Sequence, residues 1–299
     1  MRIFVTGATG FIGSRVVPQL LAAGHQVLGM TRSDRGAAWL ASVGAEAHHA
    51  TLEDLDSLRA GAAKADAIIH AAFDHDFSNF VANCEKDRRV ITALGEVLKG
   101  SNRPLLITSG VGLGLAHGST LATEDVQNFE HGNPRVTSEL AGKALLDAGV
   151  NVSVMRLPQV HDTEKQGLIT PYIDISRAKG LVAYVGEGTN AWSSGHVDDV
   201  ALLYRLAIER AEAGARYNAV AEEGVSVRDI ATVVSEGLGL PLKALQGDEV
   251  QAHFGWLGMF AGLDLRASSE ITRKTLGWNP QGPGLIEDLR NMDYTATAA

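Results

Sequence analysis

Cysteine is almost missing from this 299-residue chain, with Cys84 standing alone. No intramolecular disulfide can form, which suits a reducing compartment. Also missing is an uninterrupted apolar run of membrane-spanning length. From Met1 the chain runs straight into Ile3-Phe4-Val5, without a basic segment, a long apolar stretch or a cleavage site. A cytoplasmic location with no membrane partner is expected. No concentrated run of Lys and Arg is present, and 26 basic against 35 acidic residues leave a formal charge of −9. Nucleic acid is therefore not expected as a partner. Internal repeats, low-complexity tracts and Pro-rich linkers are absent too, so a second lobe would be interleaved with the first rather than tethered to it.

What is present is an ordinary core-forming composition, 45% hydrophobic and 20% charged, on a chain long enough for one large α/β domain with a smaller lobe. Short β-rich runs alternate with helical spacing through the first half. Strands are expected at Arg2 to Thr6, Gln26 to Met30, Ala45 to His49, Ala67 to His70, Leu105 to Thr108 and Val152 to Arg156. Helices are expected at Ile12 to Ala23, Thr51 to Lys64, Cys84 to Lys99 and Pro134 to Ala148. Repeated βα units with right-handed crossovers predict a doubly wound parallel sheet, a Rossmann arrangement over residues 1–157. In 158–299 the pattern loosens over Asp162 to Gly188. It resumes with a helix at Val197 to Arg210, a strand at Arg216 to Val220 and a Ser-capped helix at Ser226 to Gly237. That half is expected to be a substrate lobe.

The first strand closes into Gly7-Ala8-Thr9-Gly10-Phe11-Ile12-Gly13, which opens a helix. Each glycine has a task in holding a dinucleotide: a tight turn, close backbone approach to the pyrophosphate, and close helix-to-strand packing. Free amides and the helix dipole then favour the phosphates. Gly7, Thr9, Gly10, Phe11, Ile12 and Gly13 are thus candidate cofactor contacts. About 20 residues beyond the motif an acid would bind a ribose hydroxyl, but Thr31 stands there. Arg32, with Ser33 beside it, is placed to hold a 2′-phosphate, so NADP is expected over NAD. A solvated loop cation is the plainer alternative for Arg32.

Thr6 to Gly13 resembles the glycine motif of the extended and atypical short-chain dehydrogenase/reductases, the NAD-dependent epimerase/dehydratase-like group. Asp66 to Ala72 resembles that family's fourth strand, Leu106 to Ser109 its fifth, Arg156-Leu157-Pro158 the end of its sixth, and Gly195 to Ala201 the start of a helix in the substrate lobe. The resemblance implies that Ala71, Ala72 and Phe73 line the ribose side of the cofactor, and that Thr108, Ser109 and Pro158 surround the nicotinamide. It also implies a homodimer through the helices Cys84 to Lys99 and Pro134 to Ala148.

Most of that superfamily carries a Tyr-x-x-x-Lys pair, in which tyrosine protonates the developing alkoxide. In this chain Arg135 stands where the tyrosine belongs, Glu139 where the lysine belongs, and Gly110, just after Ser109, at the usual hydroxyl position. Two readings of Arg135 and Glu139, four apart on one helix, stay open. They form an ion pair on the helix surface, or Arg135 polarises a substrate oxygen while Glu139 orients it. Arginine is too basic to give up a proton, so water or a histidine such as His161 would supply it; a loop histidine without a role is the alternative.

Phe73-Asp74-His75-Asp76-Phe77 is expected to wall the substrate pocket rather than hold a metal, since adjacent ligands converge poorly on one ion. Phe254 to Phe260 is either a lid over an apolar substrate or buried core. The leading expectation is hydride transfer to a small-molecule aldehyde or ketone. Sugar-nucleotide epimerase or dehydratase chemistry, and a dinucleotide sensor without catalysis, are the alternatives.

Overall fold

Seven parallel strands organise the chain in a computed structural model that describes residues 1–295. The last four residues of the expected 158–299 lobe lie outside the described residues. The strands are β1 (Arg2–Thr6), β2 (Gln26–Thr31), β3 (Glu46–His49), β4 (Ala67–His70), β5 (Leu105–Gly110), β6 (Val152–Leu157), β7 (Gln159–His161), β8 (Val182–Val185), β9 (Ala191–His196), β10 (Arg216–Asn218), β11 (Glu222–Ser226) and β12 (Leu242–Leu245). The helices are α1 (Gly13–Ala22), α2 (Asp34–Ser42), α3 (Leu55–Ala63), α4 (Phe80–Glu96), α5 (Val136–Asp147), α6 (Ile169–Lys179), α7 (Val197–Arg210), α8 (Val227–Leu238), α9 (Asp248–Phe254), α10 (Gly258–Ala261), α11 (Glu270–Leu276) and α12 (Leu285–Asn291).

The main sheet runs β10-β6-β5-β4-β1-β2-β3, parallel throughout. Strand order reverses between β1 and β4, and ligands of such sheets bind outside the carboxyl ends at that point. The strands read as continuous apolar runs because helices cover both faces. Val16, Val17 and Leu20 of α1 pack with Val200, Leu203, Tyr204 and Ile208 of α7 on one face. Leu58 of α3, Val90, Ile91 and Leu94 of α4, and Ala141 and Leu145 of α5 cover the other. Strands β11, β9 and β7 form a second sheet, and β12 pairs with β8. A separate apolar core joins α6, α8, α9 and α12.

Several boundaries moved for identifiable reasons. Asp54 accepts a hydrogen bond from the Ser57 amide at 3.0 Å, so α3 starts at Leu55 rather than near Thr51. Helix α2 escaped the pattern because only Gly36 and Leu40 are buried on it. The stretch read as loosened, Asp162 to Gly188, contains α6 and β8. The expected serine cap forms: Ser226 Oγ accepts from the Asp229 amide at 3.3 Å. Among the described residues no helix is long and apolar enough to cross a membrane.

Candidate functional site

The glycine loop folds back on itself at the sheet's carboxyl edge. Gly7 has φ 70°, and a Cβ there would sit 2.8 Å from the Ala72 amide nitrogen. A Cβ on Gly13 would fall 2.0 Å from the Gly7 carbonyl oxygen, so the turn closes only without side chains. Around Gly10 the sole neighbour within 4 Å would be that same carbonyl, at 3.3 Å. Thr9 and Gly10 are exposed, while Phe11 and Ile12 pack against the core. The loop therefore offers an open face above the first turn of α1, which fits a pyrophosphate. Ala71 and Ala72 flank it from β4, and the Ala72 amide donates to Thr6 Oγ1 at 3.3 Å.

At the end of β2, Thr31 is buried and its hydroxyl accepts from the Ser33 amide at 3.3 Å. Ser33 Oγ accepts from the Gly36 amide at 3.1 Å and so caps α2. The serine hydroxyl is thus committed to the helix, while Arg32 is exposed beside it.

Arg135 sits at the N-terminus of α5, and its partner is not Glu139. Its Nη1 lies 2.9 Å from Asp87 Oδ2 on α4, and its Nη2 donates to the Thr108 carbonyl at 2.9 Å. The guanidinium lies 3.9 Å from the centroid of Phe73, a cation–π distance. Asp87 Oδ2 also accepts from Ser138 Oγ at 2.6 Å, and Oδ1 bonds His70 Nε2 at 3.0 Å. His70 Nδ1 continues to Thr6 Oγ1 at 2.7 Å. A buried chain of contacts thereby joins Arg135 to the residue before the glycine loop. Burial acts to raise the Asp87 carboxyl, but Arg135, His70 and Ser138 outweigh it and hold it below the usual range.

Glu139 is spent elsewhere. Its two oxygens accept from Arg156 Nε and Nη2, both at 2.8 Å, and the side chains are 1% and 0% exposed. Arg156 Nη1 donates to the Thr123 and Val126 carbonyls. The surface ion pair and the orienting role expected of Glu139 are thus corrected: α5 directs Arg135 and Glu139 to different partners. A surface ion pair does exist on α5, one turn on, between Lys143 and Asp147.

His161, expected in a loop, belongs to the short strand β7 and is buried. Its Nδ1 lies 2.7 Å from Asp288 Oδ2, and desolvation holds the imidazole below its ordinary value despite the carboxylate. Its Nε2 is buried and has no hydrogen-bond partner. Thr108 Oγ1 donates to the His70 carbonyl at 2.8 Å and meets the Tyr204 hydroxyl at 2.7 Å, so it braces the strands. Ser109 Oγ, next along β5, is buried with no hydrogen-bond partner. Pro158 connects β6 to β7.

Beyond Phe73 the site is aromatic. Phe73 and Phe77 each contact Phe80, at centroid distances of 6.2 and 5.4 Å. Phe77 stacks on Trp256 at 4.5 Å with the planes 3° apart. Phe260 closes the layer against Phe77, Phe80 and Trp256. Within the segment Phe254 to Phe260, Phe254, Leu257 and Phe260 are buried, as the core reading expects, whereas Trp256 is half-buried. Asp74 pairs with Lys86 at 2.7 Å, which holds its carboxyl below the usual range. Among the described residues no group of three or more metal-ligating side chains is assembled.

Sequence reasoning missed Asp87. The buried stripe of α4 reads Asn83, Cys84, Asp87, Val90, Ile91, Leu94, and a carboxylate on an otherwise largely apolar stripe demands a cation. That was the available signal.

A glycine loop at the switch point of a parallel sheet, opposite a buried hydroxyl and a guanidinium, defines a dinucleotide-binding α/β protein. The sequence profile of the NAD dependent epimerase/dehydratase family matches residues 3–220, and the chain belongs to that family. It is 42% identical to an uncharacterized protein of Schizosaccharomyces pombe over 98% of this chain and 100% of that one. It is 26% identical to a 4-hydroxy-2-methyl-3-oxo-4-farnesyl-3,4-dihydroquinoline-1-oxide ketoreductase of Stigmatella aurantiaca, covering 85% and 80%. The fold matches that of UDP-glucose 4-epimerase from Thermus thermophilus in complex with NAD, with TM-score 0.75 and 19% identity over the whole of both chains.

Proposed function

We propose that this protein is an NAD(P)-dependent reductase that transfers a hydride to an aldehyde or ketone, with residues 1–157 holding the cofactor and the remainder the substrate. The observation that carries this reading is the unpartnered Ser109 hydroxyl, buried at the carboxyl edge of β5 one residue from the carbonyl that anchors Arg135. A reduced nicotinamide, held by the loop Gly7 to Gly13, would supply the hydride for such a reduction, and water the proton that completes the alcohol. Ser109 Oγ donates to the substrate oxygen. Arg135 donates from Nη2 to the Thr108 carbonyl and pairs electrostatically with Asp87; its Nη1, which has no hydrogen-bond partner, donates to the developing oxyanion. Asp87 is a positioning residue that fixes the guanidinium. The similarity to a ketoreductase supports reduction. A screen of NADPH and NADH oxidation against aldehydes and ketones tests the reading; no oxidation with any carbonyl, at saturating cofactor, overturns it.

The cofactor assigned is NADP(H), from Thr31 in place of an acid and Arg32 exposed next to it. Arg32→Ala is expected to weaken NADPH binding roughly tenfold or more, the loss of a charge-assisted contact, and to leave NADH binding within about twofold. Equal losses for both cofactors, read by fluorescence titration, would sink the assignment. Assembly as a homodimer through α4 and α5 is also proposed: these helices pack on each other, with Val81 and Leu140 exposed. Light scattering at micromolar concentration is expected to give twice the chain mass, and a monomer mass refutes it.

A further inference from the structure

The chain is poor in aromatic residues, with eight Phe, five Tyr and four Trp, yet five of the Phe and Trp rings form the single layer that begins at Arg135. Phe73 lies under the guanidinium, Phe80 bridges to Phe77, Phe77 stacks flat on Trp256, and Phe260 backs the pair. Core formation does not explain the inner part of this layer. Phe80, Trp256 and Phe260 belong to or pack on the second apolar core, but Phe73 and Phe77 join none of the chain's apolar clusters and stay partly open to solvent. Trp256 is turned toward Phe77 by Gly255, whose φ of 55° and ψ of −128° only glycine adopts readily.

Lys86 is held by Asp74 and Glu53, and Arg135 forms an ion pair with Asp87. His75, between Phe73 and Phe77, is kept below its ordinary value by desolvation and then by Arg135. Lys165, whose charge also acts on His75, is exposed and lies 5.9 Å from the centroid of the Phe11 ring; the remaining wall is made of π faces.

We propose that the substrate side of the site takes an uncharged, planar aromatic or conjugated carbonyl compound, laid against Phe73 and the Phe77–Trp256 stack. This rests on the reductase reading above. Stacked rings favour a flat apolar ligand over an aliphatic one of equal polarity.

The test uses the full chain with NADP⁺ bound, so that no turnover occurs, and three probes in calorimetric titration: 2-naphthaldehyde, propanal and UDP-glucose. 2-Naphthaldehyde is expected to bind at least tenfold tighter than either of the others. Trp256→Ala and Phe77→Ala are expected to weaken it about tenfold, the usual worth of a ring contact, while propanal changes less than twofold. Trp256→Phe should restore most of the affinity, and unchanged melting temperatures identify the loss as local. UDP-glucose binding more tightly than 2-naphthaldehyde, or equal losses for 2-naphthaldehyde and propanal in the ring variants, overturns the proposal. Ring-dependent binding without NADPH oxidation by any carbonyl upholds the substrate class and removes the reductase reading. NADPH oxidation by propanal with no preference for the aromatic aldehyde does the reverse.

Discussion

Glu139→Ala is expected to destabilise the fold by about 3–5 kcal/mol, the cost of leaving a buried cation without its partner. The two oxygens of Glu139 accept from Nε and Nη2 along one edge of the Arg156 guanidinium, and both side chains are buried. Removing the carboxylate leaves a guanidinium held only by the Thr123 and Val126 carbonyls, which carry no net charge to balance it. For a chain of this size the melting temperature should fall on the order of 10 °C. Glu139→Gln keeps the shape and loses the charge, so it should fall between wild type and Glu139→Ala. A double change to apolar residues of similar volume, Glu139→Met with Arg156→Met, should recover much of the loss, because the desolvation cost then vanishes with the pair. A loss below about 1 kcal/mol for Glu139→Ala would place it with exposed ion pairs and contradict the buried geometry.

Arg135→Ala is expected to lower turnover about a hundredfold, equivalent to about 3 kcal/mol for one preorganised oxyanion donor, with cofactor affinity changed far less. The same change leaves Asp87 buried without its cation, so stability should drop as well. Arg135→Lys separates the two effects. It keeps a positive charge for Asp87 but loses the fork that holds the Thr108 carbonyl while presenting further N–H groups. It should therefore stay close to wild type in melting temperature and remain slow. Asp87→Asn should show the intermediate kinetics of a misplaced guanidinium, with kcat affected more than KM. Turnover within about threefold of wild type in both Arg135→Lys and folded Arg135→Ala would make the arginine a structural brace and leave the chemistry to Ser109 and water.

These two residues also mark the limit of what spacing can say. Arg135 and Glu139 stand four apart on one helix, and that interval permits an ion pair. The protein builds none there, because α5 lies between α4 and β6. Arg135, at the end of the helix, reaches Asp87 on one side, while Glu139, a turn further in, meets Arg156 on the other. Both alternatives are buried or nearly so, where an unpaired charge costs several kcal/mol. An exposed local pair gains only a few tenths. The stronger, longer-range requirement wins, and no local pattern encodes it.

Most of the βα units, the parallel sheet and the glycine loop after its first strand followed from local sequence alone; α2 and the place of that loop at the switch point did not. Apolar runs of strand length, helical spacing between them and three glycines after the first strand are properties of neighbouring residues, and backbone geometry leaves them few alternatives. The second lobe's short strands were not legible in that way, since β7, β8 and β12 are only three or four residues long and exist through pairing with distant partners. Tertiary structure alone decided which side chains meet. It set Asp87 against Arg135, turned His161 toward Asp288, and brought Phe77 from the β4 loop onto Trp256 from the far end of the chain. Those contacts span long loops, and their energies come from desolvation and ring packing that exist only once the core has closed.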